Sequence, residues 1–180
     1  MSIQEELSAH IRAVPDFPIP GILFRDISPI FLQPRLVERC SQELATPWMQ
    51  DGITKVVGVD SRGFLLGPQI AGLLNAGFVM VRKAGKLPPE TVSVSYELEY
   101  GKAVLESVKD SIIPGDVVLI HDDLLATGGT SAAAANLATQ LGAQVVGFCF
   151  LVGLPALSGQ KNLLPYSNRI QSLIDFGPAI

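Results

Sequence analysis

The sequence contains few residues of the kinds that build metal clusters or disulfide frameworks. Its 180 residues include two cysteines, Cys40 and Cys149, and two histidines, His10 and His121. Two cysteines cannot form a disulfide framework in a chain of this length, and the four residues do not have the spacing of a zinc site. We therefore expect both cysteines to be apolar core residues.

An excess of positive charge is absent as well. Thirteen Lys and Arg stand against seventeen Asp and Glu, which gives a net charge of −4. This balance argues against broad binding to nucleic acid or to an anionic membrane, so we expect neither partner. A charged fraction of only 17% with a hydrophobic fraction of 48% excludes disorder. The length predicts one domain over residues 1–180.

One charge-free run, between residues 63 and 81, has the length of a membrane span. Its nineteen residues would be enough for a membrane span, but Pro68, Gln69 and Asn75 interrupt it. A buried helix followed by a buried strand explains the run better. The acidic start, MSIQEEL, is unlike a signal peptide. We therefore expect a cytoplasmic protein.

Hydrophobic periodicity predicts strands that alternate with helices. The predicted helices are 3–14, 34–48, 63–75 and 128–141. The predicted strands are 55–59, 78–81, 117–120, 145–152 and 169–176. Residues 15–33 are rich in proline and read as irregular, and residues 91–109 read as an antiparallel ribbon or long loop. The alternation predicts right-handed βαβ units, an α/β fold and a central parallel sheet flanked by helices.

In such sheets, ligands bind outside the carboxyl ends of the strands. The strongest signal lies there, in residues 117–130, VVLIHDDLLATGGT. Asp122 and Asp123 follow a buried strand. A turn of small residues then leads into a helix, and its backbone N–H groups and the helix N-terminus can hold an anion. The turn consists of Ala126, Thr127, Gly128, Gly129 and Thr130.

Neither GxxxxGK[ST] nor GxGxxG occurs, which favours a terminal phosphomonoester over a triphosphate. Paired carboxylates accept hydrogen bonds, so Asp122 and Asp123 suit two vicinal sugar hydroxyls, or a metal. The alternatives are a plain tight turn and an acidic pair that caps the helix. Together, strand, acids and turn predict a site for ribose 5-phosphate.

The segment 117–130 resembles the phosphoribosyl diphosphate (PRPP) motif of type I phosphoribosyltransferases. Four further segments, in family order, resemble the adenine-specific branch of that family: Asp16–Pro29, Asp60–Phe64, Arg82–Pro88 and Tyr96–Gly101. The resemblance covers about residues 3–152. It implies a Rossmann-like sheet, a small hood from about residues 1–33 that binds the base, and a flexible antiparallel loop. It also implies a homodimer.

The resemblance implies a reaction in which adenine and PRPP give AMP and diphosphate. Mg²⁺ would be the cofactor, held by the substrate diphosphate and water rather than by protein ligands. The implied ribose ligands are Asp122 and Asp123, and the turn 126–130 would bind the 5-phosphate. The implied diphosphate ligands are Ser61, Arg62, Arg82, Lys83 and Lys86, and the implied adenine contacts are Leu23, Phe24 and Arg25. A cis peptide is implied between Asp60 and Ser61.

Glu99 is the implied catalytic residue. As a protonated acid it would donate to N7 of adenine, carried by a segment, 94–102, that closes over bound substrates. Viewed without the resemblance, Glu99 is an ordinary exposed ribbon residue. In the same way, Arg82–Lys86 could be a solvated basic face and Phe24 a core residue. His121 departs from the family pattern, which has an apolar residue there, and we expect a core histidine; an effect on affinity or pH response is the alternative.

Two other functions fit the same resemblance. One is transfer to another base, such as xanthine or guanine. The other is a PRPP-sensing regulator without turnover, which would need an added nucleic-acid-binding domain. Only about fifty residues precede the first predicted sheet strand, and they are not basic. This favours the enzyme.

Overall fold

The computed structural model describes residues 1–98 and 101–177. The helices are α1 (Ile3–His10), α2 (Pro34–Ala45), α3 (Gly67–Leu73), α4 (Gly129–Gln140) and α5 (Gln160–Leu163). The strands are β1 (Arg12–Pro15), β2 (Leu23–Asp26), β3 (Lys55–Val59), β4 (Gly77–Lys83), β5 (Thr91–Leu98), β6 (Gly101–Val108), β7 (Val117–Leu125), β8 (Gln144–Gly153) and β9 (Ile170–Asp175). Short 3-10 helices occupy Ser28–Leu32, Thr46–Trp48, Arg62–Phe64 and Pro155–Leu157.

Seven strands form the main sheet, in the order β5-β6-β4-β3-β7-β8-β9. The five strands β4, β3, β7, β8 and β9 run parallel, whereas β5 and β6 form an antiparallel ribbon that joins the edge of β4. The predicted α/β fold with a central parallel sheet is confirmed. The chain leaves β3 for β4 on one side and later leaves β7 for β8 on the other. The neighbours β3 and β7 therefore flank the topological switch point, where ligands bind in open α/β sheets.

Each face of the sheet is covered by its own apolar core. Alternate residues of a strand point to opposite faces, so Val56 and Leu119 belong to one core and Val57 and Ile120 to the other. Helices α1, α2 and α3 cover the first core, and the alanine-rich α4 covers the second. Both cysteines are free and buried in agreement with the prediction. Within the described ranges, no helix is long and apolar enough to cross a membrane.

The first part of the chain differs from the prediction. Helix α1 ends at His10 instead of residue 14, because Ile11 is already extended. Residues Arg12–Pro15 form β1, which pairs with β2 in a separate two-stranded sheet. Residues 15–33 are therefore not all irregular: β2 and a 3-10 helix lie within them. The hydrophobic spacing suggested a longer helix. In the structure, residues 12–15 instead pair antiparallel with β2, on the other side of the proline-rich segment.

Proline also explains the two other helix errors. The helix predicted over 34–48 ends at Ala45 and continues as a 3-10 turn, because Pro47 has no N–H to continue the helical hydrogen bonds. The helix predicted over 63–75 is a 3-10 turn followed by α3, whose first turn contains Pro68. The helix α5 and the 3-10 helix before it were not predicted.

Strand β7 is longer than predicted. It continues past residue 120 to Leu125, with Asp122 paired to Phe150 and Leu124 to Val152 of β8. Asp122 and Asp123 therefore lie within the sheet instead of following it. Their backbone is fixed by ladder hydrogen bonds, which holds the two carboxyl groups more firmly than a loop would.

Candidate active site

A cavity of about 380 Å³ opens at the carboxyl ends of β3 and β7, at the switch point. The ribbon of β5 and β6 forms one wall, and the N-terminus of α4 forms another. The lining residues are Asp60, Ser61, Arg62, Lys83, Tyr96, Ala103, Leu105, Asp122, Asp123 and Thr130. The cavity lies where the sequence predicted a ligand, and six of its lining residues were predicted as site residues.

The turn before α4 forms a smaller cleft beside this cavity. The cleft measures about 70 Å³ and is lined by residues 126–131 together with Asp122 and Leu124. Gly128 has a φ of 77°, the left-handed conformation that favours glycine. The first helical hydrogen bond runs from Ala132 N–H to the Gly128 carbonyl at 2.9 Å. The N–H groups of Gly129, Thr130 and Ser131 precede that bond, and N–H groups at this position of a helix can bind an anion. We call residues 126–130 the cradle.

Asp122 and Asp123 form an acidic pair at the junction of the cavity and the cleft. The N–H of Asp123 donates to Oδ1 of Asp122 at 2.8 Å, and Nε of Arg62 lies 3.2 Å from Oδ2 of Asp123. Burial raises the pKa of both carboxyl groups, and the charge of Asp123 raises the pKa of Asp122 further. Arg62 acts in the opposite direction. The cation thus favours the ionised form, which accepts hydrogen bonds from hydroxyl groups.

The loop after β3 places a second charged pair at the cavity. The peptide between Asp60 and Ser61 is cis, as the resemblance implies. The N–H of Asp60 donates to the Val81 carbonyl at 2.9 Å, and Nε of Arg82 lies 3.2 Å from Oδ2 of Asp60. A guanidinium N–H of Arg82 also donates to the Lys86 carbonyl at 3.3 Å. Arg82 therefore shapes the loop 82–88 through protein contacts.

The predicted diphosphate ligands do not all reach the cavity. Ser61, Arg62 and Lys83 line it. Lys86 is exposed on the loop after β4, outside the lining, and Arg82 is engaged with Asp60. A hydrogen bond to β6 also holds this loop: the Gly85 N–H donates to Oε1 of Glu106 at 2.9 Å. The structure thus divides the basic cluster into one lysine at the cavity and one beyond it.

The predicted base contacts lie in the small sheet of β1 and β2. None of Leu23, Phe24 and Arg25 lines the cavity itself. Phe24 is half-buried, packs edge-on against Phe17 at 5.1 Å, and lies 5.9 Å from the guanidinium of Arg62. The guanidinium of Arg25 instead stacks over Phe176 at 4.1 Å. Phe24 therefore lies next to Arg62, which lines the cavity. The side chain of Arg25 packs on Phe176 instead of pointing to the cavity lining.

His121 is fully buried, as expected of a core histidine. Its Nδ1 lies 3.0 Å from the carbonyl oxygen of Cys149, and its Nε2 has no hydrogen-bond partner in the part of the chain that the structure describes. Burial lowers its pKa to about 4. The ring is therefore neutral at neutral pH and carries no charge to the adjacent acidic pair.

Glu99, the implied catalytic acid, lies outside the described residues, and the segment 94–102 is described only in part. The surrounding ribbon is described up to the pair Leu98 and Gly101, and Tyr96 of this ribbon lines the cavity. Sequence reasoning gave no role to the segment after β8. That segment contacts the cradle directly, since Nδ2 of Asn162 donates to the Thr127 carbonyl at 2.8 Å. No motif in the sequence marks this contact.

Comparison with known proteins decides the family. Residues 33–176 match the phosphoribosyl transferase domain. The adenine phosphoribosyltransferase of Rhizobium meliloti (strain 1021) is 45% identical over 175 residues, which is 97% of each chain. That of Myxococcus xanthus (strain DK1622) is 49% identical over 171 residues, 95% of this chain and 92% of the relative.

The chain belongs to the adenine phosphoribosyltransferase family.

Solved structures of adenine phosphoribosyltransferases share the fold. The enzyme from Rhodothermus marinus is 47% identical with a TM-score of 0.91, covering 97% of this chain and 98% of that one. The Saccharomyces cerevisiae enzyme, complexed with D-2,5-dideoxy-2,5-imino-altritol 1,6-bisphosphate and adenine, is 40% identical with a TM-score of 0.88, covering 95% and 98%. The prediction of a type I phosphoribosyltransferase fold is confirmed.

Proposed function

We propose that the chain transfers the 5-phosphoribosyl group of PRPP to adenine, which gives AMP and diphosphate and serves purine salvage. One observation carries the proposal. The acidic pair in β7 lies between the cradle and a cavity lined by the cationic side chains of Arg62 and Lys83. This order matches PRPP, in which the ribose separates a 5-phosphate from a diphosphate.

Each part of PRPP is bound by a different group of residues. The cradle N–H groups and the Thr130 hydroxyl bind the 5-phosphate, while Asp122 and Asp123 accept hydrogen bonds from the ribose hydroxyls. Breaking the anomeric C–O bond develops positive charge on the ribose, as in glycoside hydrolysis, and the carboxylates lie on that side. Arg62 and Lys83 stabilise the negative charge that collects on the departing diphosphate. Binding all three parts of PRPP together fixes the reacting bond in place.

We propose Mg²⁺ as the cofactor. Among the residues that the structure describes, no group of three or more His, Cys, Asp or Glu could hold a metal ion. We therefore propose that the ion arrives bound to the substrate phosphates, because Mg²⁺ keeps several waters and needs few protein ligands. When bound, the ion neutralises the diphosphate. No protein ligand for it is proposed.

Base recognition is assigned to the hood. Phe24 offers an aromatic face for the purine, which is worth about 1–3 kcal/mol per stacked base, and the backbone of residues 23–25 offers hydrogen bonds to the base edge. Hypoxanthine and guanine present different edges, so they leave polar groups unpaired and are rejected, by on the order of 10⁴-fold.

Glu99 is proposed as the general acid that protonates N7, a role typically worth about 10²–10⁴-fold in rate. The graded test compares Glu99→Gln with Glu99→Leu. We expect kcat to fall in the first variant and further in the second, with little change in the KM for PRPP. Glu97→Gln, a neighbouring loss of the same charge, is the control. Near-normal kcat in Glu99→Leu would remove the proton-transfer role.

We also propose that the chain forms a homodimer, as the resemblance implies, and that it is cytoplasmic, as the sequence predicts. Analytical ultracentrifugation of the purified protein tests the assembly: a species of twice the chain mass supports it, and a monomer at every concentration contradicts it.

A steady-state assay with four purines tests the main proposal. Adenine, hypoxanthine, guanine and xanthine are compared, each with PRPP and Mg²⁺. We expect AMP formation with adenine and poor use of the other three. Comparable kcat/KM for guanine would contradict the adenine assignment. PRPP binding without turnover of any base would favour the regulatory alternative.

A further inference from the structure

The segment Leu154–Leu163, which follows β8, packs against the back of the cradle. We call it the buttress. The Leu154 N–H donates to the Leu125 carbonyl at 2.9 Å, which ties the start of the buttress to the end of β7. Near its other end, Nδ2 of Asn162 donates to the carbonyl of Thr127 at 2.8 Å. The backbone just before the cradle and the backbone within it are thus bonded to one segment.

Two glycines allow the buttress and the cradle to touch at the backbone. A Cβ on Gly128 would overlap the carbonyl oxygen of Gly159. A Cβ on Gly159 would overlap the carbonyl oxygen of Ala126 and lie 2.9 Å from the Gly128 nitrogen. Gly159 has a φ of −58°, which any residue adopts. The demand for glycine at this position therefore comes from the contact alone.

We propose that the buttress sets the geometry of the 5-phosphate cradle, with Gly159 and Asn162 as positioning residues that never touch the substrate. An anion site binds tightly only when its donors are already aimed, since ordering them on binding costs affinity. Thr127 is exposed, so its peptide would be free to turn without the bond from Asn162. Backbone contact with Gly159 also restricts movement of the cradle backbone at Gly128, which has a left-handed conformation. This inference rests on the proposed function, because it takes the cradle as the 5-phosphate site.

The first test compares Gly159→Ala with Gly72→Ala. The added methyl group at Gly159 meets the cradle backbone, whereas at Gly72 of α3 it meets open space. Titration calorimetry measures the affinity for ribose 5-phosphate and, separately, for diphosphate with Mg²⁺. We expect Gly159→Ala to weaken ribose 5-phosphate binding about tenfold or more, as overpacking at a tight contact does. Diphosphate binding stays as in the wild type, and Gly72→Ala changes neither affinity.

The second test removes one hydrogen bond. Asn162→Ala should weaken ribose 5-phosphate binding by about three- to tenfold, the usual value of a single hydrogen bond. The melting temperature should stay close to that of the wild type, because Asn162 is exposed. Asn168→Ala is the control: Asn168 is also exposed, and its side chain makes no hydrogen bond within the described ranges.

The outcomes separate this inference from the proposed function. If the wild type does not bind ribose 5-phosphate, both are overturned. If the wild type binds it and both variants bind equally well, the proposed site stands and the buttress is wrong. If Gly159→Ala loses ribose 5-phosphate and diphosphate binding together, with a lowered melting temperature, the segment is merely structural and the inference is overturned.

Discussion

At the scale of single residues, the chemistry of the site depends on how the acidic pair is charged. Asp122 and Asp123 are adjacent in sequence, held in the sheet, and both have a raised pKa because they are buried. The ionised forms offer the most hydrogen-bond acceptors to the hydroxyls of the proposed ribose, since a protonated carboxyl group turns one oxygen into a donor. The cation of Arg62, 3.2 Å from Asp123, opposes the rise. Arg62, proposed above as a diphosphate ligand, therefore also acts on the charge of the acidic pair.

The first prediction concerns this role. Ribose 5-phosphate affinity should fall with decreasing pH, and Arg62→Gln should move the fall to higher pH. Without the cation, the pKa of the Asp123 carboxyl rises further, so protonation begins earlier on the way down.

Calorimetry of ribose 5-phosphate across pH checks this prediction. The ligand's own phosphate titrates near pH 6, so the informative quantity is the difference between variant and wild type. Inorganic phosphate serves as the control ligand, because it has no ribose hydroxyls. Identical midpoints for the two proteins would contradict the coupling.

The second prediction concerns His121, whose pKa is lowered to about 4 by burial. The unfolded chain, with a histidine pKa of about 6.5, binds the proton more readily than the fold does. The stability that neutral His121 provides is therefore complete above about pH 6.5 and is lost as pH falls toward 4.

Urea unfolding at pH 7 and pH 4.5 measures this effect. The free energy of unfolding of the wild type should fall by about 2 kcal/mol more than that of His121→Val. Equal losses in wild type and His121→Val would mean that His121 does not titrate between these pH values.

At the scale of elements, the site is assembled where three segments end: β3, β7 and the N-terminus of α4. The turn of small residues precedes α4 and lines a cleft, where the sequence predicted an anion site. The packing behind this turn was not predicted. Gly128 faces Gly159, which is 31 positions further along the chain by residue number. A substitution such as Gly128→Val would therefore disturb this contact as well as the cradle, and it cannot isolate the phosphate interaction.

The third prediction uses a hydroxyl of the cradle instead. Thr130→Val keeps the size of the side chain and removes a donor that faces both the cavity and the cleft. We expect the KM for PRPP to rise along with a fall in kcat, because the phosphate is charged in the ground state. Thr139→Val is the control on the same helix; its hydroxyl donates to the Ala135 carbonyl. Unchanged PRPP kinetics in Thr130→Val would leave binding to the backbone alone.

The fourth prediction follows from the division of the basic loop. Lys83→Ala should raise the inhibition constant of diphosphate more than Lys86→Ala does, because Lys83 lines the cavity and Lys86 lies beyond it. Product-inhibition kinetics with both variants measure this order. The reverse order would show that the loop 82–88 moves on binding. Arg82→Ala is a poorer probe, since it also breaks the ion pair with Asp60.

At the scale of the whole molecule, two cores flank one sheet, and both cysteines are buried in the core that α1, α2 and α3 cover. Burial raises the pKa of Cys40 to about 12 and raises that of Cys149 as well. The fifth prediction is that both thiols stay unreactive toward a thiol reagent until the chain unfolds globally. Labelling across a urea series should follow the unfolding curve. Ser8→Cys, on the exposed side of α1, is the control and should react at once; prompt labelling of the wild type would contradict the prediction.

The amino-acid sequence determined the fold class and the position of the site. Strand and helix periodicities are local, and the switch between them along the chain was enough to predict a parallel sheet with ligands at its carboxyl ends. The acids and the cradle were also visible, because they lie next to each other in one segment, 117–130.

Tertiary structure decided what depends on distant pairings. Residues 12–15 left the predicted helix because β2 offered hydrogen bonds, and Arg82 was diverted to Asp60 although its sequence neighbours suggested a free cation. The raised pKa values of the acids come from burial, which no motif shows. The contact between Gly128 and Gly159 exists only after β8 has returned the chain to the cradle. Each of these features depends on residues that are far apart in the chain, and a local sequence pattern cannot predict contacts between distant residues.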